Sequence, residues 1–431
     1  MQVRNEPVTV IMSLARHAIG ETAEKAREAL NLSQETCPRR ISVAAVISVL
    51  NVPATHEVAF LFANQEEKMG KMTFNAALTD IKPVDSASFT KARERLDSLV
   101  KPLGSLGKLE DAAAKLCAIT GSLTPSIEKR CVIVFAADNG VYEEGVASAP
   151  QAVTAIQTIN ILNGATGVGV LAKHFNTGLV VADVGVDADL KHERLIVKKI
   201  RKSTGNIAKE PAMTKDEATL ALDAGVEVLD MALAEGYQAV GLGEMGIGNT
   251  TTSSAVLSAL LGLSGSDVDS VVGRGAGLSD EAFENKKRVI KEALALHKPD
   301  KNDPVGILQK VGGIDLAAMT GAYIGAAARG IPVVIDGFIS AVAALCAARL
   351  APASKEYMFA SHSSYERGYS TAINELGLSA CFDLSMRLGE GSGCPLMFAV
   401  MDGALEVLKN MATFDEAMID NLYVSQMNLS F

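Results

Sequence analysis

The 431-residue chain contains no tryptophan, and aromatic residues make up only 5% of it. Proteins that bind single-stranded nucleic acid stack bases on exposed aromatic rings, so this composition argues against that class of function. The formal net charge of -10 is unfavourable for contact with phosphate backbones or anionic lipid. We therefore expect neither nucleic acid nor a membrane among the partners.

The six cysteines and six histidines form none of the spacings that hold a metal ion or a disulfide framework. No CxxC pair and no HExxH motif occurs. Most of the cysteines lie in apolar runs, which is typical of buried free thiols in a reducing compartment. The sequence thus predicts a cytoplasmic protein without a dedicated metal site.

Long, uninterrupted apolar runs are also lacking. The most apolar stretch, residues 331–350, contains Asp336 and Arg349, and it falls short of the ~20 clean apolar residues of a membrane helix. The N-terminus carries charges and a proline where a signal peptide needs an apolar segment. These features favour a soluble protein.

From about residue 73 the chain alternates between short apolar runs, polar loops and helical patterns. Strands are predicted where β-branched runs end in polar or glycine-containing turns, at 131–137, 178–186, 237–246, 331–338 and 357–364. Helices are predicted within 87–120 and at 151–173, 215–235 and 280–297. Because the strands are apolar throughout, we expect an α/β fold with a parallel sheet covered by helices on both faces. Ligands of such sheets bind at the carboxyl ends of the strands.

The segment 241–255, GLGEMGIGNTTTSSA, is the most informative motif. Its glycines and hydroxyls at a helix start suit an anion, and we expect Gly246, Ile247, Gly248 and Asn249 to bind substrate. Glu244 would repel a phosphate, so it indicates a second role in the same loop. A tight turn with Ser/Thr capping is the structural alternative. The GxGxxG pattern at 241–246 is weak evidence for a dinucleotide site, since a carboxylate stands inside it.

The segment 387–393, RLGEGSG, places Glu390 between two glycines. Glycines allow close approach of a ligand and leave the carboxylate poorly hydrated, as a general base near neutral pH requires. Leu388 in the same motif is expected to contact substrate. A solvated loop glutamate, with glycines that serve only the turn, is equally compatible with these residues.

Other candidates follow predicted strands or precede glycines. Ser148 and Gln151 could orient a planar heterocycle. Lys310, before two glycines, suits a phosphate, although a solvated lysine is the more common case. Asp336, at a strand end, could bind a ribose hydroxyl or only cap the next helix.

Ten such motifs, in order from about Ile81 to Ala417, resemble the nicotinate-nucleotide–dimethylbenzimidazole phosphoribosyltransferase family. The resemblance implies transfer of the phosphoribosyl group of nicotinate mononucleotide to 5,6-dimethylbenzimidazole or a related base. The products would be α-ribazole 5′-phosphate and nicotinate, in assembly of the cobalamin nucleotide loop. It further implies no cofactor, a homodimer, and a Rossmann-like sheet with a small helical domain from both chain ends.

The resemblance also implies domains and roles. Residues 1–71 would be an N-terminal extension of unknown role, and the small domain would take its helices from 72–130 and 381–431, around an α/β domain at 131–380. Glu390 would be the general base and Glu244 a second carboxylate at the reaction centre. Phosphate contacts fall on Gly246, Ile247 and Lys310, and a base-pocket position on Gln151. The chain departs from the family pattern at Asn139 and Tyr369, where histidine is usual.

Two other functions remain open at this point. A NAD-dependent dehydrogenase would need an acidic residue about 20 residues beyond the glycines, at a strand end, and the chain offers a helical, apolar run there. A non-catalytic protein that binds a nucleotide or nucleobase is the other. Glu244 and Glu390 weigh against it, because binding alone needs neither carboxylate.

Overall fold

The structure, a computed structural model, describes residues 72–420. The predicted N-terminal extension, Cys37 and the end of the chain after residue 420 lie outside the described residues. The domain boundaries therefore stay a prediction.

Six parallel strands form one sheet in the described part of the chain. They are β1 (Arg130–Ala137), β2 (Gly178–Gly185), β3 (Leu195–Val197), β4 (Ala239–Met245), β5 (Val333–Ile335) and β6 (Met358–Ala360). Every residue of β1 is buried, because helices cover both faces of the sheet. The predicted parallel sheet is confirmed, and β3 is an addition that the sequence patterns did not indicate.

The strand order is β3-β2-β1-β4-β5-β6. The chain therefore builds outward from β1 in one direction and from β4 in the other. In such sheets a crevice opens at the carboxyl ends of the two strands where the order reverses. Phe135 of β1 pairs in register with Glu244 of β4. The first predicted catalytic residue thus lies at this reversal point.

Helices connect and flank the strands. In chain order they are α1 (Phe74–Asp80), α2 (Ser86–Asp97), α3 (Lys108–Thr120), α4 (Val153–Leu162), α5 (Gly167–His174), α6 (Lys215–Ala234), α7 (Asn249–Leu261), α8 (Asp280–His297), α9 (Pro304–Val311), α10 (Ile314–Arg329), α11 (Phe338–Leu350), α12 (Gly368–Leu376) and α13 (Gly393–Asn410).

The tightest helix pair is α6 and α10, which cross at two glycines. A methyl group on Gly225 would lie 1.8 Å from the carbonyl oxygen of Ala318, and one on Gly321 would lie 2.0 Å from that of Leu222. Only glycine permits these backbones to approach so closely. This contact holds α10, whose first turn carries Asp315, firmly in the core.

Helices from both ends of the described chain pack together, since α3 contacts both α2 and α13. A buried ion pair joins Lys101 to Glu110 at 2.8 Å in this region. This packing agrees with the implied small helical domain, whose status as a separate domain stays a prediction.

The predicted helix at 151–173 is two helices, α4 and α5. The break falls at Gly164, which adopts φ +70°, and at Thr166, whose hydroxyl caps α5. Within residues 72–420, the stretch Val153–His174 has the length and apolar composition of a membrane span, with a mean hydropathy of 1.2. It is interrupted in the middle, and both of its halves pack against β2.

The cysteines of the described residues are all free thiols, as predicted. Cys117, Cys131, Cys346 and Cys394 are buried, and Cys381 is half-buried. Burial raises the pKa of the Cys117 thiol to about 11 and that of Cys346 to about 12.

Candidate active site

A cavity of about 280 Å³ opens at the carboxyl ends of β4 and β5 and is also lined by residues 146–149, from the segment that follows β1, so it adjoins the reversal point between β1 and β4. Nine of the predicted site residues line it. They are Ser148, Glu244, Gly246, Ile247, Gly248, Asn249, Asp336, Leu388 and Glu390. Segments distant in the sequence thus converge on one place.

Two predicted residues do not line the cavity. Lys310 lies in the last turn of α9, and its Nζ donates to the carbonyl oxygen of Lys298 at the surface. Gln151 lies in the turn before α4. The cavity instead receives Val153 and Gln157, which are four residues apart and so share one face of α4.

The two glycine-rich segments interlock. A methyl group on Gly243, inside β4, would lie 2.4 Å from the amide nitrogen of Gly391, and one on Gly389 would lie 2.4 Å from Glu244 Oε1. Gly243 belongs to β4, where its missing side chain makes room for the RLGEGSG segment. This contact brings Glu244 and Glu390 to the same wall.

Glu390 adopts φ +62° between Gly389 and Gly391, which are at +87° and +83°. The left-handed region costs a non-glycine residue roughly 1–2 kcal/mol, so the surroundings must hold this turn in place. Its Oε2 accepts a hydrogen bond from the backbone N–H of Val168, in the first turn of α5, at 3.1 Å. An N–H donor at a helix N-terminus stabilises a negative carboxylate.

Glu244 has different surroundings. Burial, followed by the nearby Asp315 carboxyl, raises the pKa of Glu244 to about 8. The side-chain amide of Asn249 donates to Glu244 Oε2 and, at 3.1 Å, to Asp315 Oδ2. Burial likewise raises the pKa of Asp315 to about 6. The two raised pKa values favour a proton on this bridged pair near neutral pH.

Asp336 follows β5 directly. Its Oδ1 accepts from the N–H of Gly393 at 2.7 Å and its Oδ2 from that of Gly391 at 3.1 Å. Burial raises the pKa of Asp336 to about 7, and the two amides oppose that rise.

A buried lysine that the sequence analysis missed lies under the start of α7. Lys286 Nζ donates to Thr250 Oγ1 at 2.9 Å and to the carbonyl oxygen of Gly273 at 3.0 Å. Burial lowers the pKa of Lys286 to about 8, and Glu366 opposes that fall. Arg274 lines the adjacent wall. Lys286 itself does not line the cavity, whereas Arg274 and Glu366 do, so charges of both signs lie at the end of the cavity near α7.

The sequence contained a signal for Lys286. The buried stripe of α8 is formed by Phe283, Lys286, Val289, Ile290 and Ala293. A lysine on the apolar stripe of an amphipathic helix departs from the usual pattern and indicates a buried charge with a specific task.

The two departures from the family pattern lie behind the cavity wall. Asn139 is fully buried, and its Oδ1 accepts from Thr252 at 3.3 Å. Tyr369 is buried and stacks on His362, with ring centroids 6.4 Å apart. Neither residue lines the cavity, so both act on the substrate only through the residues in front of them.

Across residues 72–420, no group of three or more His, Cys, Asp or Glu side chains is arranged to hold a metal ion.

A family model described as phosphoribosyltransferase matches residues 81–419. The sheet, the cavity at its reversal point and this match define the class: the chain is a phosphoribosyltransferase.

Relatives with a curated name sharpen that class. An enzyme of Clostridium perfringens named nicotinate-nucleotide–dimethylbenzimidazole phosphoribosyltransferase is 54% identical over 350 residues, which cover 81% of this chain and 96% of the relative. The enzyme of the same name from Ruminiclostridium cellulolyticum is 47% identical and 98% covered. The crystal structure of CobT from Thermus thermophilus superposes with a TM-score of 0.74 at 40% identity, over 78% of this chain and 99% of that one. The chain belongs to the nicotinate-nucleotide–dimethylbenzimidazole phosphoribosyltransferase family.

Proposed function

We propose that this protein transfers the phosphoribosyl group of nicotinate mononucleotide to 5,6-dimethylbenzimidazole or a related base, in assembly of the cobalamin nucleotide loop. The observation that carries the proposal is the pair of buried glutamates, Glu244 and Glu390, on one wall of the cavity. A protein that only binds a nucleotide needs neither carboxylate.

The donor phosphate is assigned to the start of α7. This helix begins directly after Gly246, Ile247 and Gly248, and these residues line the cavity together with Asn249 and Thr250. Ile247 donates its N–H to Thr154 Oγ1 at 3.0 Å, which fixes the loop. Lys286 lies beneath and supplies the positive charge that was first expected of Lys310.

The ribose then lies near Glu244. Breaking the bond between the anomeric carbon and nicotinate builds positive charge on that carbon, while nicotinate leaves with the electron pair. A nearby positive charge favours the ionised form of a carboxyl group. The positively charged pyridinium nitrogen of the bound nucleotide thus favours release of the Glu244 proton to solvent, and the resulting carboxylate stabilises the transition state.

The acceptor base is assigned to the wall formed by Ser148, Gln157 and Leu388. One ring nitrogen of the base attacks the anomeric carbon while Glu390 removes the proton of the other nitrogen. A positioned base of this kind contributes about 10²- to 10⁴-fold. The base enters opposite the departing nicotinate, so a single displacement converts the β-nucleotide into the α-riboside.

The protein is further proposed to be a cytoplasmic homodimer. Apolar side chains exposed on neighbouring helices support a contact with a second copy, notably Ile156 of α4 and Val170 of α5, each more than half exposed. The free, buried thiols suit a reducing compartment. Light scattering after size exclusion should give twice the mass of the 45.1 kDa chain.

A product assay tests the activity. Purified protein is mixed with nicotinate mononucleotide and a panel of bases, namely dimethylbenzimidazole, benzimidazole, adenine and phenol, and products are separated and identified by mass. Glu390→Gln runs beside Glu375→Gln, an exposed glutamate paired with Arg349. We expect a riboside phosphate and free nicotinate from the wild type and Glu375→Gln, and little from Glu390→Gln. A folded protein that yields no product with any base would instead be a binding protein.

A further inference from the structure

Asp336 lines the cavity, but both oxygens of its carboxylate are hydrogen-bonded to the RLGEGSG segment. Its two oxygens accept the N–H groups of Gly391 and Gly393, which lie 55 and 57 residues further along the chain. Asp336 follows β5, and α11 begins two residues later. The carboxylate nevertheless caps the start of a different helix, α13.

Other groups pack closely around the Asp336 carboxylate. Ser361 Oγ donates to the Asp336 carbonyl oxygen at 3.0 Å, and His362 Nδ1 lies 3.8 Å from Oδ1. A methyl group on Gly393 would lie 2.4 Å from that imidazole nitrogen and 2.9 Å from Oδ1. A ribose hydroxyl that bound Asp336 would have to reach a side chain that is only 2% exposed.

The segment held in this way contains the general base. Gly389, Glu390 and Gly391 follow one another in the left-handed region, a run that persists only when its surroundings hold it. The two hydrogen bonds that Asp336 accepts from Gly391 and Gly393 fix the carboxyl end of that run. Val168 holds the side chain of Glu390 at the other side.

We propose that Asp336 is a positioning residue, whose carboxylate fixes the left-handed turn that aims Glu390 at the acceptor base. The proposal rests on the proposed function, because it takes Glu390 to be the general base. It replaces the earlier expectation that Asp336 binds the ribose.

The first test is Asp336→Asn. The amide keeps the shape, but only one of its two polar atoms can accept a loop N–H, and the other opposes it. We expect kcat to fall on the order of 10- to 100-fold, as for a catalytic group displaced by about 1 Å, with little change in KM for nicotinate mononucleotide. Asp183→Asn is the matched control, since Asp183 is also buried at a strand end and accepts the N–H of Val186 at 2.9 Å, away from the cavity. Its kcat should stay at the wild-type value.

A double variant separates positioning from substrate contact. If Asp336 acts through Glu390, Asp336→Asn costs little further activity once Glu390→Gln is present. A rise in KM with unchanged kcat, or losses that multiply in the double variant, would mean that Asp336 contacts the substrate itself and would overturn the proposal.

Amide hydrogen exchange tests the positioning role of Asp336 independently of the proposed enzymatic activity. If the wild type forms no product, the proposed function fails, but the loop can still be observed. Asp336→Asn should speed exchange at Gly391 and Gly393, and Asp183→Asn should not. Unchanged exchange at these amides in Asp336→Asn would overturn the positioning role whatever the activity.

Discussion

The two glycine-rich segments, 243–249 and 387–393, look alike in sequence and differ in structure. Each places a glutamate beside glycines. Glu244 ends a regular strand, with its carboxyl group among other buried carboxyls. Glu390 occupies a left-handed turn, with its carboxylate on the N–H of Val168 at a helix start.

The different surroundings of the two glutamates suit them to different tasks in the proposed reaction. Burial beside the Asp315 carboxyl raises the pKa of Glu244 to about 8, whereas Glu390 Oε2 accepts the backbone N–H of Val168 in the first turn of α5. A general base has to be ionised before the reaction begins. A carboxyl group that stabilises a developing positive charge can still be protonated at that stage. In the proposed reaction the first segment serves the donor nucleotide and the second serves the acceptor base.

The largest expected effect separates the two glutamates. Glu390→Gln should lower kcat about 10²- to 10⁴-fold, because the variant lacks the group that takes the proton of the base. Glu244→Gln should lower it less, since glutamine retains the hydrogen bond from Asn249 and loses only the charge. Steady-state kinetics with saturating substrates measures both. Equal losses would mean that the two carboxyl groups do not have distinct tasks.

Substitution of two lysines tests where the phosphate of nicotinate mononucleotide binds. Lys286→Met should raise KM for nicotinate mononucleotide roughly 10- to 100-fold, since a hydrogen bond to a charged group contributes about 1.5–3 kcal/mol. KM for the acceptor base should change little. Lys310→Met is the control, because that side chain lies at the surface. Similar values for both variants would place the phosphate elsewhere.

The interlock between the segments can be tested through stability. Gly389→Ala introduces a side chain at φ +87° and 2.4 Å from Glu244 Oε1, so unfolding by denaturant should show a loss of about 1–3 kcal/mol. Gly403→Ala, in the exposed middle of α13 with nothing within 4 Å, should be neutral or stabilising by about 0.5–1 kcal/mol. If both glycines tolerate alanine equally, the two loops are not packed as described.

The proton on Glu244 can be tested through the dependence of stability on pH. The folded chain raises the pKa of Glu244 from 4.5 to about 8, so it keeps a proton that the unfolded chain releases. The resulting stability is complete below pH 4.5 and is lost as the pH rises toward 8. The thermal midpoint of the wild type should therefore fall more steeply over this window than that of Glu244→Gln. Parallel curves would contradict the buried proton.

Much of the fold could be predicted from the sequence. The apolar runs at 131–137 and 178–186 became β1 and β2, and the amphipathic pattern at 280–297 matches the bounds of α8. Local periodicity decides such elements, because one face or both faces of the element must be buried. The short strand β3 and the break between α4 and α5 depend on contacts with distant residues.

The site was predicted less completely. Glu244 and Glu390 stand out because glycines flank them, and both lie at the cavity. Gln157, Lys286 and Asp315 were missed, because their roles depend on which face of a helix points inward. Lys310 was predicted from its neighbouring glycines, which in fact end α9 and precede α10.

The supports of the Glu390 turn come from widely separated parts of the chain. Val132 and Gly243 pack beneath Gly391, Asp336 holds its amide, and Val168 holds the glutamate itself. Because the ribosome synthesises the chain from its N-terminus, all four supporting residues are synthesised before the Glu390 turn. The sheet and the donor side can thus assemble while the acceptor side is still missing. Catalytic competence should therefore arrive as one of the last events of biosynthesis.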